Sequence, residues 1–348
     1  MRTLFFLKRG GRRGTVLILA LWALGLLTVL AVNLHFMVRQ KLTLLSRLEQ
    51  RARLKDAANA GIRQAIAVLR SMDAQHGRKP TVAQKILRFL YREQFQNVNI
   101  GQANFEVGYI DYTYGTDLPL KMYGFTDEEG RLNVNTADPA TIQRLIESVT
   151  GMPAENAGHL ALAIVGWREE GDTQLKGFYG DDYYANLEFP YQRKQSKYER
   201  LDELRLVEGM SLPVYEQLIP FVTVYGTGLV NINTASRPVL EALGLSENIV
   251  NAVLTARSGP DGEDATADDF IFEQVIDPAA YANVLPLEQE EYNDIARLAG
   301  VSLGTDTSYY RMISTGHAGE RKQSRVITCV YDLGGKRIVY WRQQPGNG

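Results

Sequence analysis

Residues 15–32, TVLILALWALGLLTVLAV, run for 18 positions without a charge. At about 1.5 Å per residue a helix of that length covers about 27 Å, close to the roughly 30 Å hydrocarbon core of a bilayer. Asn33 and His35 follow, but the helical pattern does not stop there. Residues 40–72 contain no proline and one glycine, Gly61. In that stretch Leu44, Leu48, Ala52, Ala58, Ile62, Ile66 and Leu69 recur at three- and four-residue steps, with one longer step after Ala52. The expectation is one helix from Thr15 to about Met72, some 87 Å long, its first half in a membrane and its second half lying on a folded domain.

Charge sets the direction of that helix. No Asp or Glu precedes Glu49, and residues 1–14 carry Arg2, Lys8, Arg9, Arg12 and Arg13. A basic flank before an apolar span predicts a cytoplasmic N-terminus and a bulk on the far side. Removing that +5 from the net −2 leaves −7 for the remainder, the wrong sign for holding nucleic acid by bulk charge. A secretory signal peptide and an ordinary single-pass anchor are the competing readings of the run; it lacks an A-x-A cleavage pattern, which disfavours the first. The 348 residues suit two domains, or one domain with a large insertion. A single cysteine, Cys329, excludes an intramolecular disulfide, and with four histidines it excludes a Cys-rich zinc site.

Beyond the linker Gly77–Pro80, residues 81–94 read as a second helix. Residues 103–114 alternate and are rich in β-formers, and 121–126 read as another strand. Three more strands are expected at 309–316, 325–332 and 337–343, joined by loops with glycine and charge. Strand signals thus flank a helical block at 131–303. The fold class is α+β: a small antiparallel sheet, over 73–130 and 304–348, interrupted by a large helical insertion.

The block repeats itself. Leu132-Asn133-Val134-Asn135-Thr136-Ala137 returns as Val230-Asn231-Ile232-Asn233-Thr234-Ala235, and each copy leads into a helix. Ile142, Leu145 and Ile146 mark the first helix, and Val239, Leu240 and Leu243 the second. Asn135 or Thr136, and Asn233 or Thr234, are expected as their N-caps. Residues 201–210, LDELRLVEGM, followed by Val214–Leu218, read as two helices around a glycine turn. The grammar is that of helix-hairpin-helix or SAM-like modules.

Arg12-Arg13-Gly14 joined directly to Thr15 resembles a prepilin-type signal, which is cut after the glycine and leaves the apolar helix in place. Together with the LNVNTA and VNINTA copies and LDELRLVEGM, this order of features resembles the general secretion pathway protein K family, the K-type minor pseudopilins of type II secretion. The resemblance covers about residues 10–345 and implies a pilin-like fold with an inserted α-domain. It also implies cleavage between Gly14 and Thr15 by prepilin peptidase, with 1–14 as the leader. The protein would be a single-pass inner-membrane protein with a periplasmic bulk. It would sit at the pseudopilus tip with I-type and J-type minor pseudopilins and with the major pseudopilin below. Most pilin-like proteins carry Glu at the fifth mature position; here that residue is Leu19, a departure the K family shares.

A competing resemblance is to membrane-anchored competence-type DNA receptors with helix-hairpin-helix modules. Their hairpins bring backbone N–H groups to phosphate through Gly-hydrophobic-Gly. Here Pro153 follows Gly151-Met152 and Leu212 stands at the comparable place after Gly209-Met210. Proline has no N–H to donate, and Asp202, Glu203 and Glu208 make the flank acidic, so no nucleic-acid partner is expected.

No P-loop, G-x-S-x-G or H-E-x-x-H is present, and no enzyme activity is expected. Cys329 reads as a core thiol, and His159, in an apolar helix, as a packed residue. Two acidic loops remain. One holds Asp181 and Asp182; the other holds Asp261, Glu263, Asp264, Asp268 and Asp269. Calcium takes six to eight oxygens from such loops, but the spacing is not that of an EF-hand, since Phe272 occupies the twelfth position from Asp261. A solvated surface loop is the alternative. The family resemblance implies structural Ca2+ in the α-domain.

Overall fold

The computed structural model describes residues 12–76, 92–113, 119–171, 181–262, 268–275, 281–318 and 323–346. The chain divides into two units, Met1–Leu54 and Lys55–Gly348. Helix α1, Arg12–His76, is continuous through the boundary. In the first unit its apolar residues from Val16 to Leu48 are exposed. Leu44, Leu48 and Ala52, expected to begin the packed stripe, are exposed as well. Burial along the helix starts only at Leu54.

In the second unit, Ala57, Ala58, Ile62, Ala65, Leu69 and Met72 are buried in one core with Phe105, Val107, Met312, Ile327 and Cys329. Gly61 sets the distance. A Cβ there would stand 2.2 Å from Ser314 Oγ and 2.9 Å from the Phe105 ring, so the helix reaches the sheet only because that side chain is missing. Of the helix expected at 81–94, residues 81–91 lie outside the described residues, and Arg92–Phe95 forms one turn, α2.

Among the described residues the main sheet has seven strands. They are β1 (Val98–Ile100), β2 (Ala103–Asp111), β3 (Leu120–Tyr123), β4 (Phe125–Asp127), β9 (Tyr309–Ala318), β10 (Ser324–Asp332) and β11 (Arg337–Gly346). The path runs β1-β2-β9-β10-β11, all antiparallel, with β3 on β2 and β4 on β9. Strand β2 ends earlier than expected because Asp111 Oδ1 accepts from the Thr113 N–H (3.0 Å) and Oγ1 (2.6 Å), which turns the chain. The single strand expected at 121–126 is two. Gly124, at φ +114°, swings the chain from its pairing with β2 to a pairing with β9.

Between β4 and β9 the chain makes the same structure twice. Strand β5 (Leu132–Asn133) pairs in parallel with β6 (Val222–Thr223), and β7 (Val230–Asn231) with β8 (Leu303–Gly304). Each first strand leads into two helices: α3 (Pro139–Thr150) and α4 (Ala154–Arg168), then α7 (Arg237–Ala242) and α8 (Glu247–Ser258). Before β6 come a short helix α5 (Asp181–Ala185), a 3-10 turn (Leu201–Leu206) and α6 (Leu212–Leu218); before β8 comes α9 (Gln289–Leu298).

The asparagines explain why the sequence repeats. Asn133 and Asn231 each accept from the N–H two residues on, at 2.9 and 3.0 Å, and so shape the turn. Asn135 clamps both backbone groups of Tyr198 (2.7 and 3.0 Å), and Asn233 does the same to Phe272 (2.8 and 3.0 Å). A carboxamide does this because it offers a donor and an acceptor together. An arginine closes each unit: Arg168 donates to the carbonyls of Val134 and Ala137, and Arg257 to those of Ile232 and Ala235.

These asparagines and threonines are not the N-caps the sequence suggests. The caps are Asp138, which accepts from Thr141 N–H at 3.0 Å, and Ser236. The turn keeps residues 134–137 in its own hydrogen bonds (Ala137 N–H to Asn133 C=O, 2.9 Å), and prolines at the first helical positions delay each start.

Candidate functional site

Two places carry chemistry that the fold alone does not use up: the apolar helix, and a group of acids where the sheet hands over to the inserted units. By length and composition α1 is long and apolar enough to cross a membrane. Gly14 and Thr15 lie near its start, and Arg12 is its first described residue. Leu19 is exposed at 66%, and no carboxylate appears along the helix before Glu49.

The acidic loops are arranged differently from each other. Asp181 opens α5 and pairs with Arg193 (2.9 Å), whose side chain is buried and also holds the Gly166 carbonyl at 2.8 Å. Gln195 adds a bond at 3.1 Å to the same carboxylate. Asp182 is exposed beside it. Asp268 Oδ2 accepts from the Asp261 N–H at 3.3 Å, with Asp269 next in sequence. Glu263 and Asp264 lie outside the described residues. Among the described residues, no three of His, Cys, Asp and Glu gather as a metal-ligand set.

His159, expected to be packed, faces outward on α4, while Leu160, Ala161 and Ile164 turn inward. Cys329 is buried as expected, and burial pushes its thiol up to about 12, so it is an unreactive core residue.

The group that sequence reasoning missed is Asp127-Glu128-Glu129. All three are buried. Asp127 closes β4, and its Oδ2 accepts from Thr307 Oγ1 (2.6 Å), Thr234 Oγ1 (2.7 Å) and Asn231 Nδ2 (2.9 Å). Glu128 accepts from Thr223 Oγ1 (2.6 Å) and faces Arg311, whose guanidinium forks onto it, with Arg131 at 3.6 Å. Glu129 accepts the N–H groups of Ser308 (2.6 Å) and Tyr309 (3.1 Å). Three successive carboxylates thus join the sheet to both repeats. Asp127 holds the second repeat's turn, Glu128 the first repeat's closing strand, and Glu129 the chain's return into β9.

Their electrostatics diverge. Burial drives Asp127 up to about 6 against these three hydrogen bonds and a fourth from the Glu129 N–H (2.7 Å). Burial and then the charge of Asp127 raise Glu129 to about 7. For Glu128, burial acts upward, but the charges of Arg311 and Arg131 outweigh it and hold the carboxyl below its usual range. A run of three acids normally reads as a solvated face. The one available signal was its position, between the last strand residue and the first repeat.

A long, exposed apolar helix that runs on into a helix packed on an antiparallel sheet defines a structural class. Comparisons with known proteins narrow that class. The family described as "Type II secretion system (T2SS), protein K" matches residues 123–227. Type II secretion system protein K of Pseudomonas aeruginosa is 27% identical over 359 residues, spanning 98% of this chain and 95% of that protein. Its counterpart in Pectobacterium carotovorum is 30% identical over 126 residues, 35% of this chain and 38% of that protein. A crystal structure of the GspK-GspI-GspJ complex from enterotoxigenic Escherichia coli includes a chain that superposes with a TM-score of 0.60. That match covers 88% of this chain and all of the other, at 17% identity, and speaks for the fold. The K-type resemblance read from the sequence is thus met by a family match, by relatives and by a solved fold. The likeness is to structural parts of a secretion apparatus, not to enzymes.

Proposed function

We propose that this protein is a minor pseudopilin that starts and caps the pseudopilus of a type II secretion system, in export across the outer membrane. Prepilin peptidase would cut between Gly14 and Thr15, leaving Thr15 as the new N-terminus. The helix would hold the protein in the inner membrane with its head in the periplasm. The neighbouring fold was solved with GspI and GspJ, which supports I-type and J-type partners here. One observation carries the tip position: the exposed apolar helix has Leu19 where a shaft subunit needs an acid to meet the amine of the subunit above it. An unpaired carboxylate in lipid costs roughly 2.5–3.5 kcal/mol, so its absence is favourable where nothing stands above. Quantitative labelling of purified fibres tests this. About one copy at one end is expected; copies spaced along the shaft would refute it.

The same reading includes structural calcium at the acidic segments around Asp181 and Asp182 and around Asp261, Asp268 and Asp269. Asp181 is already committed to Arg193. Full-length protein in detergent should melt at a higher temperature in excess calcium than in chelator. Equal melting temperatures would remove the metal from the reading.

A further inference from the structure

Beyond the uncharged run, α1 carries a seam. Leu34, Val38, Lys41, Leu45, Leu48 and Ala52 follow one another at alternating steps of four and three. That is the heptad spacing of a helix that packs along another helix. The four large apolar members are 47–63% exposed. The helix is unbroken here, so the segment cannot fold down onto the bilayer surface. Lys41 stands nine residues past Val32, about 13 Å further along the axis, and Leu45 and Leu48 stand further out still. A lipid surface leaves those leucines in water; a second helix covers them.

Lys41 is the one charged member of the seam, and it is exposed. The first acid along the helix, Glu49, is already paired with Arg53 at 2.6 Å. Arg39, Arg47 and Arg51 add positive charge on other sides. A second copy running parallel and in register would set Lys41 against Lys41, which disfavours self-association. A lone lysine inside an apolar seam selects its partner and its register.

We propose that Lys41 selects the neighbour of this helix: a parallel helix of a different membrane-anchored chain, apolar on its facing side, with a carboxylate at the level of Lys41. The inference rests on the pseudopilin reading and adds the chemistry by which the first subunit rejects its own kind and accepts another.

The test places a photo-reactive residue at Leu45 of the full chain in native membranes, alone and combined with Lys41→Glu or Lys41→Met. The expected product joins this chain to a different helix that has an Asp or Glu within one turn of the adduct. Lys41→Glu should lower its yield about tenfold, and exchanging the partner's acid for lysine should restore it. Lys41→Met should raise the share of self-adducts. An adduct indifferent to Lys41→Glu, a product made mainly of two copies of this chain or of lipid, or a partner with no acid at that level would each overturn the proposal. If the head still co-purifies with pilin-like chains in those cases, the pseudopilin reading stands and only the role of Lys41 falls. If neither adducts nor co-purification yield a pilin-like chain, the reading falls and takes the inference with it.

Discussion

Glu128→Ala is expected to lower the stability of the head by about 3–5 kcal/mol, the cost of leaving one partner of a buried ion pair alone. Glu128 is fully buried, and Arg311 is only slightly exposed. Removing the carboxylate strands the Arg311 guanidinium, leaves Arg131 beside a like charge, and takes the acceptor from Thr223. Arg131, held down to about 10 by burial and by Arg311, loses the charge that keeps it there favourably. The damage should reach both the sheet and the first repeat, because Glu128 ties β9 to β6. Denaturant unfolding of the full-length protein in detergent measures it. A loss below about 1 kcal/mol, the range of a surface pair, would show that this junction is wet.

The neighbouring acids predict a pH response of the opposite sign. Asp127 and Glu129 have folded pKa values near 6 and 7, above their ordinary 3.8 and 4.5. A carboxyl raised on folding adds stability that is complete below its unfolded pKa and is lost as pH rises through its folded pKa. The head should therefore lose stability between about pH 4 and 8, by up to a few kcal/mol per group. Glu128 works against this at the acid end. Its pKa is lowered on folding, so its contribution fades as pH falls through that lowered value. The stability curve should peak on the mildly acidic side. Glu129→Gln removes one titrating group and leaves an oxygen for the Ser308 and Tyr309 N–H groups, so it should flatten the alkaline limb. A limb equally steep in that variant would show that Glu129 is not its source.

Much of this was legible in advance, for physical reasons. The apolar run shows as an unbroken uncharged stretch and the C-terminal strands as an alternation, and a sequence displays both directly. The repeat was visible too, since Asn133 and Asn135, like Asn231 and Asn233, must offer a donor and an acceptor together. Their partners were not visible. Tyr198 and Phe272 are met through their backbones, which carry no sequence signal. The caps went to Asp138 and Ser236 because the turn itself occupies the expected residues. The helix stripe was read too far toward the membrane, because Leu44 and Leu48 keep the spacing of the residues that pack on the sheet. Asp127, Glu128 and Glu129 stayed hidden because three acids in a row look solvated. Only the fold brings Arg311 and Thr307 to them from about 180 positions away.

That last separation bears on how the sheet closes at all. A free chain of 180 residues between β4 and β9 imposes a loop-closure entropy that grows as the logarithm of its length. Here the two ends of the insertion meet at the 2.6 Å bond between Thr307 and Asp127. Once the two repeats have folded, β4 and β9 are joined as if by a tight turn, and the long excursion adds almost nothing to the entropy of pairing them. The insertion thus acts toward the sheet as a hairpin loop, and its size is free to vary as long as Asp127 and Thr307 still find each other.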